Sequence, residues 1–338
     1  MYNYYDLIMG SEPSSFLQIF NKLWKNEIEM QDLPYSQAIQ IKEGNRLRPL
    51  LLAWGYYTNS QLENNVFIAN YALSIELIHK ASILLDDLID DDDARHEKDT
   101  FHIQYSKSET LLYAIYLLNR SIMLVNQKDI LDNKLYTPTF LKIVDKMTRG
   151  GIKEISNKNI IFSPKDVKDI IELETVALIK NSFILGHNLS ANGNVSKEIS
   201  DIGYSCGYCF QVLNDIEPFS DPENNKKYKG KTNYDFSKQR KNIVVSFLYG
   251  ACNSRERNKL KVCTDYAYIM SLIEKYEVIT LLINEVENDI KKIFILISQL
   301  QSNNNTNFYE DFKKFITKMF EICYKKCNLK LNYNLFNN

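Results

Sequence analysis

A chain of 338 residues, 45% of them hydrophobic, is long enough for one large helical domain or two smaller ones with a sizeable core. With 25% charged residues and a formal net charge of −1, the composition excludes a disordered chain and supplies no overall basic field, so nucleic acid is not an expected partner. No apolar run reaches membrane-spanning length and the N-terminus shows no leader pattern, so a cytoplasmic protein without a transmembrane segment is expected.

Only 11 glycines and 7 prolines punctuate the chain, and apolar residues recur at three- and four-residue spacing, which predicts an all-α fold. Phe16, Ile19, Phe20 and Leu23 show the spacing first, and a helical stretch follows near 37–57. Leu73, Leu77, Ile78, Leu84 and Leu85 carry it up to an acidic run. Further helices are expected near 102–126, 139–150, 165–190, 195–216, 236–252, 257–300 and 308–329. No stretch alternates in the manner of a strand. Pro218 to Tyr234 reads as a loop, Ser302 to Asn307 as a polar break, and the last residues as a frayed tail, giving one domain over 1–330 and a tail over 331–338.

Six cysteines without a compact secreted frame are expected to be reduced. Cys206 and Cys209 form a CxxC, but no second pair stands at ligand spacing, so helix packing fits them better than zinc.

Asp86, Asp87 and Asp90 fall at i, i+1 and i+4, so on a helix 86 and 90 share one face with 87 beside them. Like charges so close repel unless a cation sits among them, and a hard divalent ion that takes oxygen ligands fits. Alone, the run through Asp93 also fits a solvated helix end. Its setting, with His79 upstream and Arg95, His96 and Lys98 downstream, suits an anion site built from metal and arginine together.

The stretch IELIHKASILLDDLIDDDDARHEKDTFH resembles the first aspartate-rich region of the trans-prenyl diphosphate synthase family, DDxxD followed by paired arginines. Gly44-Asn45-Arg46-Leu47-Arg48-Pro49 is similar to that family's GKRLRP, and Glu174-Thr175 falls where it has Lys-Thr. Phe210-Gln211-Val212-Leu213-Asn214-Asp215 resembles its FQxxDD, and Gly230-Lys231 with Asp235 resembles its GKxxxD. The resemblance implies a single helical bundle around a deep central cavity, commonly a homodimer, with three magnesium ions and a diphosphate held between two acidic segments. Carried over, Asp86 and Asp90 would ligate magnesium with Asn214 and Asp215 opposite, Asp87 would complete the acidic motif, and Arg95 and Lys231 would hold the allylic diphosphate. Thr175 and Gln211 would line that site. Ala81 and Ser82, small residues just before the aspartates, would form the cavity floor and leave room for a C15 or C20 substrate.

Departures from the family pattern fall on its second diphosphate site, whose four positions read Asn45, Arg48, His79 and His96. Two of four donors are weakened, and at about 1.5 to 3 kcal/mol per charge-assisted bond the loss is about 3 to 6 kcal/mol, roughly a hundredfold to ten-thousandfold in affinity. Glu174 replaces a lysine and needs a partner, for which Arg149, Lys153 and Lys180 are candidates. The balance favours a terpene synthase that ionises a single allylic diphosphate. The alternative is a chain-elongating prenyl diphosphate synthase in which Arg48, His79, Arg46 and Arg240 or Lys241 serve the second substrate. Prenyl transfer to another acceptor and a non-catalytic partner subunit are further readings.

Overall fold

The computed structural model describes residues 13–58, 64–95, 98–156, 162–191, 196–220, 241–263, 265–301 and 306–336. The chain is helical almost throughout: α1 (Pro13–Met30), α2 (Ile39–Lys42), α3 (Leu47–Tyr57), α4 (Asn65–Asp90), α5 (Phe101–Gln104), α6 (Lys107–Asp132), α7 (Thr137–Ile155), α8 (Pro164–Ile171), α9 (Ala177–Ala191), α10 (Lys197–Ser220), α11 (Ile243–Ala251), α12 (Ser254–Leu260), α13 (Tyr266–Lys275), α14 (Val278–Gln301) and α15 (Thr306–Lys326). The expected all-α class is what the molecule has; among the described residues one ladder pairs Ala94–Arg95 with Lys98–Asp99.

Several boundaries differ from the periodicity reading, each for a local reason. The stretch expected near 37–57 breaks because Arg46 takes a left-handed conformation, φ 56, before α3. The stretch expected over 257–300 divides where Asp265 caps α13 through the N–H groups of Ala267 and Tyr268 and where Glu277 turns left-handed, φ 50. α10 runs two residues past Pro218, since a proline in the last turn removes only a donor near the helix end. Beyond 330, Tyr333–Phe336 form a 3-10 turn and Leu335 is buried.

α4 is the pivot. Its Asn64 cap accepts from Phe67 N, and it packs against α1, α3, α6 and α9, which is why it is apolar on nearly every side until Asp86. It is the one helix among those described that is long and apolar enough to cross a membrane, and most of that window is buried inside the protein. α3 and α9 cross closely because a Cβ at Gly55 would overlap the Phe183 carbonyl and one at Gly186 would overlap the Leu52 carbonyl. A single buried cluster reaches from Phe16 on α1 to Leu335. All six cysteines are free and buried, and burial holds the Cys206 thiol up at about 12, which makes it an inert packing group.

Candidate active site

The acidic run lies at the C-terminal end of α4, where Asp91 closes the helix in a left-handed cap, φ 52. Asp86 is exposed and Asp90 partly exposed, one turn apart on the same face. Asp87 goes elsewhere: it is buried, and its Oδ1 accepts from Arg95 Nε at 2.8 Å and Nη2 at 2.6 Å. The three carboxylates therefore do not converge as their spacing suggested, and no three His, Cys, Asp or Glu side chains among the described residues cage an ion. Burial raises the Asp87 carboxyl and Arg95 works against that rise; the same pairing, with Asp86 nearby, keeps the guanidinium above its ordinary value against burial. Arg95 stays 36% exposed, so its outer face is open to a ligand.

Thr175, in the turn before α9, donates from Oγ1 to Oε1 of Gln211 on α10 at 2.7 Å, and Gln211 Nε2 donates to Asp215 Oδ1 on the same helix at 2.7 Å. Ile243 N donates to Asp215 Oδ2 at 2.7 Å, and Asn242, which caps α11, donates its amide to Asp215 O at 2.9 Å. Asp215 is thus fixed by both of its carboxylate oxygens. The chain beside this cap closes the site: Lys241 Nζ stands 3.1 Å from Glu154 Oε2 and 4.0 Å from Asp90 Oδ2. Residues 241–243 so connect Asp90 on α4 with Asp215 on α10. Burial opposes the Lys241 charge, but Asp90, Glu174, Glu154 and Asp86 outweigh it and hold the ammonium well above the usual lysine range.

Glu174 meets none of the three basic residues expected for it, and Lys241 is the cation that favours its ionised form. Arg149 pairs with Asp145 and Lys153 with Asp166 and Asp169, both directed away, and Lys180 lies over the Tyr204 ring. Glu174 belongs to a π-helical turn, Glu172–Val176, set between α8 and α9. It packs against Gly150, where a Cβ would come within 2.5 Å of its Cγ. Burial pushes its carboxyl up to about 8, Lys241 opposing and Glu154, Asp86 and Asp90 adding to the rise. Glu154 escaped the sequence reading; the Gly150-Gly151 pair inside a helix was the available signal that something approaches closely there.

Further back on α4, Arg48 Nη1 lies 3.0 Å from His79 Nε2. Burial, then Arg48, pull the His79 pKa far down, so the ring is neutral, accepts from the guanidinium at Nε2 and carries its proton on Nδ1. That Nδ1 is buried and has no hydrogen-bond partner among the described residues. Beneath lies a cluster the motifs did not reveal. Arg46 Nη1 meets Glu76 Oε1 at 2.6 Å and its Nη2 donates to Lys42 O at 2.6 Å, while its guanidinium stacks on Trp24 at 4.9 Å, and these contacts hold its left-handed backbone. Lys80, 2% exposed, donates to Gln40 O at 2.9 Å and to Glu43 O, with Glu76 Oε1 at 3.8 Å. Ala81 is fully buried and Ser82 partly so, its hydroxyl donating to His79 O at 2.9 Å. Lys231 and His96 lie outside the described residues, as do Gly230, Asp235 and Arg240.

A helical fold in which residues 241–243 link the acidic end of α4 to Asp215 on α10, with a separate Arg and His pair two turns back, is that of an isoprenoid synthase. The polyprenyl synthetase family model matches residues 33–272, and the chain belongs to that family of enzymes acting on prenyl diphosphates. It is 26% identical over 253 residues to a short chain isoprenyl diphosphate synthase of Methanocaldococcus jannaschii, covering 73% of this chain and 75% of that one. It is 29% identical over 224 residues to a geranylgeranyl diphosphate synthase of Sulfolobus acidocaldarius, covering 63% and 66% of the two. Among solved structures, polyprenyl synthase of Caulobacter crescentus, in complex with calcium and isoprenyl diphosphate, superposes with a TM-score of 0.77 at 18% identity, over 91% of this chain and 94% of that one.

Proposed function

We propose that the chain is a chain-elongating prenyl diphosphate synthase that joins an allylic diphosphate to isopentenyl diphosphate and releases diphosphate. The observation that carries this reading is that α4 holds two separate anion-handling positions. Asp86 and Asp90 with Arg95 and Lys241 form one, and His79 with Arg48 forms the other. His79 and Asp86 are seven residues apart, hence on the same face and about 10 Å apart along the axis. A terpene synthase needs only the first position. The expectation of such an enzyme rested on losses at Asn45 and His96, whereas the Arg48 and His79 pair is intact and the relatives named above are prenyl diphosphate synthases.

The oxygen donors fit magnesium. In this reading Asp86 and Asp90, one turn apart on one face, would ligate the ion together with Asn214 and Asp215, leaving it to complete its shell with water and substrate oxygens. When bound, magnesium would neutralise charge on the leaving diphosphate. The protein's own residues do the rest. Arg95, oriented by Asp87, and Lys241, oriented by Glu154, present cations to the allylic diphosphate, and Thr175 and Gln211 hold Asp215 in place. Lys231 completes the set in this reading. In this reading a channel runs below the aspartates, and the small side chains of Ser82 and Ala81 leave it room for C15 and longer chains.

An exposed apolar stripe on α6, Leu112 (66%), Ile115 (46%), Met123 (62%) and Ile130 (73%), recurs at helical spacing and supports a homodimer that buries this face. Incubating the protein with magnesium and C10, C15 or C20 diphosphates, each with and without isopentenyl diphosphate, tests the function. Longer diphosphates formed only when both substrates are present are expected; hydrocarbon or alcohol from one substrate alone would overturn the proposal.

A further inference from the structure

We infer that Lys80 is a positioning residue for the second, homoallylic diphosphate, supplying from beneath the 40–46 segment the positive charge that position 45 no longer carries. The inference rests on the chain-elongation reading and deepens it.

Asn45 does not itself replace a cation. Its Oδ1 accepts from Leu47 N at 3.2 Å, so its side-chain oxygen is spent on the first turn of α3. Directly below that turn, Lys80 Nζ lies 3.0 Å from where a Cβ on Gly44 would stand. Arg46 and Lys80 both lean on Glu76 Oε1, at 2.6 Å and 3.8 Å, which leaves two cations on one carboxylate. Glu43, whose carbonyl Lys80 also holds, is an exposed residue, and the adjoining His79 ring is neutral. Among the described residues, one positive charge of this pair is therefore left without a contacting carboxylate of its own. It sits under the turn that leads into Arg48 and beside the ring that Arg48 meets.

A buried ammonium in such surroundings is unfavourable. Burial first, then Arg46, Arg48 and Arg95, bring the Lys80 pKa down to about 8 against the pull of Glu76. An apolar side chain of the same length would avoid that cost. What removes it in place is an anion arriving at the turn, since charge of opposite sign stabilises the ammonium and is stabilised by it. Two carbonyl bonds, to Gln40 and Glu43, meanwhile fix the 40–46 segment to α4, so the same side chain sets both the field and the position of the turn.

The test uses Lys80→Met, Asn45→Lys and the double variant, with two readouts. One is the KM for isopentenyl diphosphate set against the KM for the allylic diphosphate. The other is calorimetric titration of the metal-free protein with inorganic pyrophosphate, where the carboxylate-lined site repels the anion and the Arg48 region does not. Lys80→Met is expected to raise the isopentenyl diphosphate KM and weaken pyrophosphate binding by about tenfold or more, with the allylic KM moving by less than about twofold. Adding Asn45→Lys is expected to restore most of both losses, which a purely structural role for Lys80 does not allow. Equal rises in both KM values, unchanged pyrophosphate binding, or a folded double variant without rescue would overturn the inference. Should Lys80→Met fail to fold, Lys80→Gln, which keeps a bond to one carbonyl, carries the same test. A wild-type protein that makes no elongated product defeats the chain-elongation reading, and the pyrophosphate titration still decides the role of Lys80.

Discussion

Replacing Glu174 with glutamine removes the one ionisable group in the site whose charge the fold most resists. Burial and the carboxylates of Glu154, Asp86 and Asp90 lift its pKa from the ordinary 4.5 to about 8, with Lys241 opposing. A group whose folded pKa is raised binds a proton more tightly folded than unfolded, so for an acid, stability falls as pH climbs from the unfolded value through the folded one. The window is thus pH 4.5 to about 8. At about 1.4 kcal/mol per unit the ceiling at pH 7 is near 3 kcal/mol, and water reaching a partly exposed carboxyl screens this to about 2 kcal/mol. Glutamine has no proton to take up. Glu174→Gln should therefore match the wild type near pH 4.5 and exceed it by about 2 kcal/mol at pH 7. Urea unfolding followed by helical circular dichroism at several pH values measures the difference. A gap that stays constant from pH 5 to 8 would refute the argument, since it would mean that Glu174 is ionised throughout and that its site is wetter than the structure shows.

Three further outcomes follow from the same geometry. Arg95→Leu leaves Asp87 buried without its partner and should cost about 3 kcal/mol of stability as well as most activity, whereas Arg95→Lys should keep more stability than activity, because a lysine cannot reproduce the two-bond contact; thermal melts beside turnover at saturating substrate separate the two. Ser82→Phe should fill the channel below the aspartates and shorten the longest product by at least one C5 unit, read by mass spectrometry, and unchanged products would place the channel elsewhere. Leu112→Glu with Ile115→Glu should shift the protein toward monomer in light scattering by adding charge to the α6 stripe, and an unaltered mass would assign the dimer contact to another face.

The fold was legible because the chain obeys a single period nearly everywhere, and the motif-bearing residues Asp86, Asp90, Gln211 and Asp215 were legible because their spacing is local. What the sequence concealed was pairing across distance. Asp87 and Asp86 look equivalent in the string, and only the Ala94–Arg95 segment folding back under the helix end separates them, tying Asp87 to Arg95 and leaving Asp86 exposed. The partner of Glu174 was sought among basic residues near it in sequence, yet the cation that acts on it is Lys241, far along the chain and brought near because α11 starts against Asp215. Breaks at Arg46 and at Glu277 were hidden for another reason: each is a left-handed residue that is not glycine, so no composition signal marks it.

These pairings change how the lost lysines are to be weighed. Scoring a diphosphate site by motif position treats each cation as belonging to one place in the string, and on that count positions 45 and 174 are both defective. An anion feels the sum of charges around it, falling off with distance and burial and indifferent to which helix supplies them. At 174 the charge is not merely absent but reversed, and Lys241 stands against that reversal with Glu154 and Asp90 fixing its place. At 45 the missing charge has a neighbour in Lys80, one layer deeper and held to the same turn. Deleting either lysine should then hurt more in this chain than where the motif lysines are present, because each stands in for a charge that its motif position lacks. That asymmetry is measurable as the coupling energy of the Asn45 and Lys80 double-mutant cycle, and a value near zero would mean that the two positions serve separate ends.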